Sequence, residues 1–473
     1  MNKSRQIEGR WWINGDDKPF HLGTLSFDPE KGLELKVNVP QDRPGGASAF
    51  FAMFDEISRD EGEVPQIIHG TDENGRPITL FGCGNFSRSW ALVQHTYHLR
   101  GIGGAVLNFR AGSTDERPFV FANARYTLLQ KWMGRRLGIK HTVAEDGLVG
   151  IQFKSHELLE LRLSNGVVIR IFGTMLREGY NLLDELRIGW SHSVSFLFPA
   201  PLSPKAIHDD FASIFLRLLW LLTGAQVHIE NLSFHDHDAF APGSQGSAEG
   251  AELLCANYGI SEATRDLHPV EMIASFPEIE ADFGSILNRW FECQEQLKPV
   301  LDLYFAVLAN KTLEPAARFL FLAQAIEVYH ARSREFSPNE KPEAEHKQRL
   351  KVILESAPSE YRGWLALILK YSNRKTLAQR LEDILARHAS EAEKLNAKIE
   401  AFSDTFRDSR NYYTHYDEKL LQRGKVAVGL NLVRLATTVE ALLQVCLLKE
   451  IGIQGKPIER ILERNASINY VES

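Results

Sequence analysis

The chain predicts an α+β multidomain protein: a mainly antiparallel, sandwich-like β domain over 1–277, then an all-α helical bundle over 278–473. Two observations carry this. From Gly9 to about Phe198, Gly, Pro, Asn and Asp punctuate short segments whose apolar residues alternate, the period of half-buried strands. After about Pro277 the apolar spacing lengthens to the three- and four-residue steps of helices. At 473 residues, 44% hydrophobic and 24% charged, the chain has room for two domains with sizeable cores.

In chain order, strands are expected at Leu33–Val39, Ile78–Phe81, Val149–Phe153, Leu159–Leu163 and Val167–Ile171. Asn74-Gly75, within Asp72–Arg76, and Ser164-Asn165-Gly166 are hairpin turns by composition. Long helices do not alternate with these strands, so an antiparallel sandwich or barrel is expected, not a parallel α/β sheet. One helical segment interrupts the β domain near 204–222, opening at Pro204 and ending at Thr223-Gly224, where glycine suits a left-handed cap. A strand at Gln226–Ile229 and an exposed loop over Phe234–Gly250 follow. The helices of the second domain are expected at Ala281–Leu308, Pro315–Ser333, Glu343–Leu354, Trp364–Lys370, Thr376–His388, Ser390–Tyr416 and Val426–Ile451, with a polar loop at Ser337–Glu345. Ser390-Glu391-Ala392-Glu393 reads as a capping box starting the sixth of these.

A net charge of −7 excludes a protein that coats nucleic acid by bulk electrostatics; any such contact must be local. Cys83, Cys255, Cys293 and Cys446 form no CxxC pair, which indicates neither a zinc site nor a disulfide framework and fits a reducing cytoplasm. The start MNKSRQIEGRWW has no apolar signal core, and the longest apolar run, Ile214–Leu222, contains Arg217 and falls short of the roughly 20 residues a membrane span needs. Neither secretion nor membrane insertion is expected, nor any metal or cofactor. His235-Asp236-His237-Asp238 has ligand-type residues but no distant partner, and is read as a solvated loop. Gly101-Ile102-Gly103-Gly104 lacks the third glycine of a dinucleotide loop and is read as a turn. Trp11 and Trp12 are read as sheet packing.

The chemistry concentrates in Arg410-Asn411-Tyr412-Tyr413-Thr414-His415, late in the Ser390–Tyr416 helix. Leu395, Ile399, Phe402 and Phe406 form an apolar row that continues into Arg410 and Tyr413, so Arg410 falls where a core residue is expected and needs an anionic partner. Asp404, Asp408, Asn411 and His415 form a polar row beside it. At about 100° per residue, Asn411 and His415 lie roughly 40° apart, but Arg410 and His415 about 140° apart. Unless the helix ends before His415 or the Arg bends round, a second helix must complete a site, such as the same helix of another copy in an isologous dimer. Imidazole can take a proton from a ribose 2′-hydroxyl near neutral pH, and guanidinium can stabilise charge on phosphoryl oxygens, so the pair suits metal-independent RNA cleavage. Tyr412, Tyr413 and Tyr416 are read first as packing or dimer contacts, and only second as platforms for bases. Arg374, Lys375, Arg380, Arg407 and Arg423 are candidates for a local RNA grip, or simply a solvated helix face.

RNYYTH matches the Arg-x4-6-His signature, in its Arg-Asn form, of HEPN domains. FLFLAQAIEVYHARS at 319–333 and NRKTLAQRLEDIL at 373–385 resemble the ApeA-type HEPN branch of prokaryotic defence proteins. GRWWINGDDKPFHLGTLSF and IIHGTDENGRPITLFGC resemble the domain fused ahead of that module. The resemblance implies a helical ribonuclease that dimerises through its motif helices and acts in abortive antiphage defence, with the N-terminal domain as sensor or regulator. It implies Arg410 and His415 as catalytic, Asn411 as their support, and Glu327 as the acidic residue that orients the Arg, although Glu335 and Asp408 could also neutralise Arg410. The implied partners are an RNA substrate, tRNA included, a phage-derived trigger, and further copies of the chain in a homodimer or higher homo-oligomer. Two other readings stand beside it. One is a non-catalytic HEPN dimer that binds nucleotides or protein; the other, resting on fold class alone, is a carbohydrate-binding sandwich with a helical appendage.

Overall fold

The structure is a computed structural model that describes residues 4–12, 20–29, 31–40, 67–90, 94–113, 116–134, 138–143, 149–154, 159–181, 185–237, 250–255, 267–397 and 399–471. The chain divides into two compact units, Met1–Glu280 and Ala281–Ser473. The first is β-rich and the second helical, as the apolar periods predict.

The first unit contains β1 (Arg5–Trp12), β2 (His21–Asp28), β3 (Gly32–Pro40), β4 (Ile67–Asp72), β5 (Pro77–Trp90), β6 (Gln94–Leu107), β7 (Phe119–Tyr126), β8 (Gly138–Val143), β9 (Val149–Lys154), β10 (Leu159–Arg162), β11 (Val168–Asn181), β12 (Glu185–Leu202), β13 (Ile229–His235) and β14 (Ala251–Leu254). Its helices are α1 (Leu129–Met133), α2 (Pro204–Ile207), α3 (Ser213–Thr223) and α4 (Phe276–Ile279). The order β1-β2-β3-β6-β5-β4 returns to β1 through the β1–β4 pairing, so these strands close an antiparallel barrel. Of the two antiparallel forms expected, the barrel is the one adopted. β6 also pairs with β14, which continues the sheet through β13, β7, β12, β11 and β10; β8 and β9 form a separate hairpin.

Alternation builds the barrel core. Leu33, Leu35 and Val37 of β3 are buried with Leu25, Phe27, Ile68, Leu80 and Leu99, while Glu34 points out to Arg100 and His98. Trp11 is fully buried and its indole N–H donates to Gly23 O at 3.1 Å. Glycine is needed around that ring: a Cβ at Gly70 would stand 2.4 Å from the Trp11 indole. The expected turn at Gly101–Gly104 is instead the interior of β6. Gly101, at φ 68°, is the extra residue where the β3 register skips from Ile102 to Arg100, a bulge that absorbs the turn chemistry.

Both predicted hairpin turns form, with Gly75 at φ 77° and Gly166 at φ 88°. The 204–222 segment is helical with one irregularity: a π turn at His208–Ala212 separates α2 from α3, and Gly224 caps the end at φ 67°. Tyr126, 5.4 Å from Phe215, donates its hydroxyl to Ala212 O at the end of that turn. The strand expected at Gln226–Ile229 begins only at Ile229 and absorbs Phe234 and His235 from the expected loop; residues 238–249 lie outside the described residues.

The second unit contains α5 (Phe283–Ala309), α6 (Pro315–Arg332), α7 (Glu343–Ser356), α8 (Ser359–Leu369), α9 (Leu377–Arg387), α10 (Ala389–Lys394), α11 (Ile399–His415), α12 (Glu418–Gln422), α13 (Leu430–Glu450) and α14 (Lys456–Val471). α6 packs against α5, α9, α11 and α13, and so lies at the centre of the bundle. α13 is long and apolar enough to cross a membrane by composition, but most of it is buried within the bundle, where Glu440 pairs with Arg318 of α6. The expected continuous helix from Ser390 is broken. Asn396 takes φ 55°, and α10 starts behind His388, which makes no side-chain cap, so the Ser390 capping box does not start the motif helix. The left-handed conformation, which Asn tolerates better than most residues, ends one helix before the next begins.

A Gly70→Ala variant should lower barrel stability by about 1–3 kcal/mol, because the new methyl must displace a fully buried indole. Thermal or denaturant unfolding checks it; an unchanged midpoint would show that Trp11 can move freely.

Candidate active site

α11 is held by aromatic contacts along one side. Phe406 is fully buried and meets Phe319 of α6 edge-on at 5.5 Å, and Tyr413 approaches the same Phe319 ring at 6.5 Å. The segment after α12 closes another side. Tyr413 donates its hydroxyl to Ala427 O at 3.0 Å, and the fully buried Ser409 hydroxyl accepts from Ala427 N–H at 2.9 Å. Sequence reading missed this strap, since nothing in Gly424-Lys425-Val426-Ala427 resembles a site.

These contacts place Arg410 on the rim of the apolar row rather than in its centre. Its side chain retains 36% exposure, with Nη2 3.8 Å from a Glu327 carboxylate oxygen and Nη1 donating to Asn411 Oδ1 at 3.4 Å. The expected need for a deeply buried counter-charge is therefore relaxed. A pair this long and this exposed is worth at most ~1 kcal/mol, so it orients the guanidinium more than it stabilises the fold. Of the three acidic residues considered, Glu327 is the one beside Arg410. Glu335 lies 3.4 Å from Arg387, and Asp408 is buried under Arg407 at 2.9 Å. The polar row is thus polar in composition but only partly exposed.

His415 is the last residue of α11 and is exposed. The helix stays regular through it and ends immediately after, where Tyr416 turns left-handed at φ 53°. The option that the helix ends before His415 is excluded, and the roughly 140° between Arg410 and His415 stands. Among the described residues no hydrogen bond or ion pair joins His415 to Arg410, Asn411 or Glu327. Arg410, Asn411 and Glu327 come together; His415 faces elsewhere. Tyr412, Tyr413 and Tyr416 form an edge-to-face cluster with centroids 5.0 to 6.4 Å apart, Tyr416 being its exposed member.

Glu327 is itself held from behind. Arg380 of α9 is buried and donates to the Glu327 carbonyl at 3.2 Å and the Lys375 carbonyl at 3.0 Å. The expected RNA grip is corrected accordingly. Arg380 is structural, Lys375 is bound to Asp383, and Arg407 to Asp404 and Asp408, while Arg374 and Arg423 remain exposed. The fully buried His330 joins this network, its Nε2 2.7 Å from Asp383 and its ring stacked on Phe336 at 4.9 Å. Burial holds the imidazole below its ordinary range despite Asp383, whereas Lys375 and His330 outweigh the burial of Asp383 and hold its carboxyl low.

In the first unit, His237 pairs with Asp236 at 2.7 Å; Asp238 lies outside the described residues. The four cysteines are free. Among the described residues no group of three or more His, Cys, Asp or Glu is placed to hold a metal ion.

Comparison with known proteins agrees with this division. Residues 6–290 match the family described as ApeA N-terminal domain 1, and residues 320–456 match Apea-like HEPN. The chain belongs to the ApeA-type family, an ApeA N-terminal domain joined to a HEPN domain. It is a HEPN-type antiphage defence protein. No curated protein and no solved structure matches it.

The His330 network has a pH signature. An imidazole held neutral by burial contributes stability that is present above about pH 6.5 and is lost as pH falls through its lower folded value. The unit should weaken as pH falls below about 6.5, with a second loss below the ordinary Asp range as Asp383 protonates. In His330→Gln the first loss should shrink. Unfolding midpoints measured across that range decide; the same slope in both proteins would remove His330 from the account.

Proposed function

We propose that this protein is a metal-independent endoribonuclease. The placement of Arg410 beside Glu327 and Asn411 on a buried-backed helix, with His415 at the helix end facing outward, supports this reading best. His415 takes the proton from a ribose 2′-hydroxyl, the oxygen attacks the adjacent phosphorus, and the P–O5′ bond breaks as water protonates the departing O5′, leaving a 2′,3′-cyclic phosphate and a 5′-hydroxyl. Arg410 stabilises the charge that gathers on the non-bridging oxygens, a role typically worth 10²–10³-fold in rate. Glu327 and Asn411 position that guanidinium. DNA, lacking the 2′-hydroxyl, cannot react this way.

Because one copy keeps Arg410 and His415 on different sides of α11, the active species is a homodimer, with α11 of a second copy completing the site. Restraint of the host-toxic activity falls to the N-terminal unit, and a phage component releases it.

One feature favours the competing reading of a non-catalytic dimeric scaffold: His415 has no side chain to orient its ring among the described residues. The scaffold predicts tight binding of RNA or nucleotide with no cleavage.

Purified wild type, Arg410→Ala and His415→Ala, activated by phage challenge or a phage extract and incubated with RNA in EDTA, separate these readings. The wild type should leave cyclic-phosphate ends, and each variant should lose at least about 10²-fold in rate. Cleavage that survives both substitutions, or that chelation abolishes, overturns the proposal.

A further inference from the structure

α8 is an apolar helix with none of its residues buried. Along it Tyr361, Trp364, Leu367 and Ile368 follow at three- and four-residue steps, and Tyr371 extends the stripe just past its end. Leu367 is 75% exposed and Trp364 60%; the others are all more than half exposed. Val352 and Ile353 of the adjoining α7 are exposed as well. Together these side chains offer on the order of 600–800 Å² of apolar surface, at or above the largest patch on a typical monomer and close to the ~800 Å² one partner gives a standard interface.

The charges along the stripe say what covers it. Glu360 is exposed at its N-terminal end, and Lys370 and Arg374 are exposed at its C-terminal end, both within 5.2 Å of the Tyr371 ring. Arg362, near the N-terminal end, is folded back onto the Ala357 and Glu355 carbonyls. A surface acidic at one end and basic at the other is complementary to itself reversed. About a two-fold axis near Ala366, Tyr361 meets Tyr371, Trp364 meets Ile368, and Glu360 falls between Lys370 and Arg374 of the other copy.

We propose that α8 is a self-association surface, pairing antiparallel with α8 of a second copy of this chain. The inference goes beyond the ribonuclease reading and does not rest on it, since α8 lies outside the Arg410 site. If α11 also pairs, the two contacts close a tetramer where their two-fold axes cross at right angles, and otherwise propagate a chain.

Sedimentation of the full chain tests this. Trp364→Glu combined with Leu367→Glu should halve the wild-type mass, with circular dichroism confirming an intact fold. Glu360→Arg alone and Lys370→Glu with Arg374→Glu should each weaken association by about tenfold, and combining all three should restore most of it. A wild type whose mass the stripe variant leaves unchanged, or charge variants that fail to rescue one another, would overturn the proposal. So would stripe variants that keep their mass but lose binding to a fluorescent single-stranded RNA, because the aromatic and basic residues would then serve as a base-stacking platform.

Discussion

The edge-on contact between Phe319 and Phe406 is the constraint on which the helical unit's chemistry depends. A helix has one rotation about its axis to set, and burying Phe406 against α6 sets it. Everything else on α11 then follows by angle: Tyr413 returns to the same Phe319 ring, Arg410 emerges at the rim next to Glu327, and His415 turns away. The Ala427 strap locks this from the side, because the buried Ser409 hydroxyl and the Tyr413 hydroxyl both use its backbone. Rotating α11 carries Arg410 and His415 together, and turning it until His415 faced Glu327 would expose Phe406 and orphan those bonds. A site assembled from two copies avoids that cost.

The acidic partner is fixed with similar care. Glu327 is about a third exposed, and such a side chain would be mobile alone, but its helix is pinned by Arg380 from α9 and by the His330, Asp383 and Lys375 network one turn further on. Buried ionic networks of this kind add little net stability against apolar packing, yet removing one member leaves a charge uncompensated. They hold α6 and α9 in one arrangement. The barrel of the first unit uses glycine for a comparable purpose, giving a single indole, Trp11, the space that side chains on Gly70 and Gly23 would fill.

Much of this was legible in the residues themselves. Alternation marked the strands, glycine marked both hairpins and the cap after α3, and the apolar steps located most helices of the second unit. The failures have specific causes. Ser390 had the chemistry of a capping box, but α10 already begins at Ala389, one residue before it, and a left-handed Asn396 broke the run afterwards. The glycines at 101–104 resembled a turn because the residues that permit a turn also permit a bulge inside a strand. Arg380 and Lys375 looked like an exposed basic face, since charge in a sequence does not reveal that a carbonyl or carboxylate from a distant helix is waiting for it.

By itself, then, the sequence determined the two fold classes, the family, and the identity and order of Arg410, Asn411 and His415, because these depend on local period and on residue chemistry. It also determined that Arg410 and His415 could not both point straight at one atom from a regular helix, which is a matter of angle alone. Only the tertiary structure decided which carboxylate stands beside Arg410, that α11 remains helical through His415, and that Arg410 lies at the rim and not in the core. Those outcomes turn on how far apart residues separated by tens of positions come to rest, and that is set by the packing of α6 against its neighbours rather than by any local pattern.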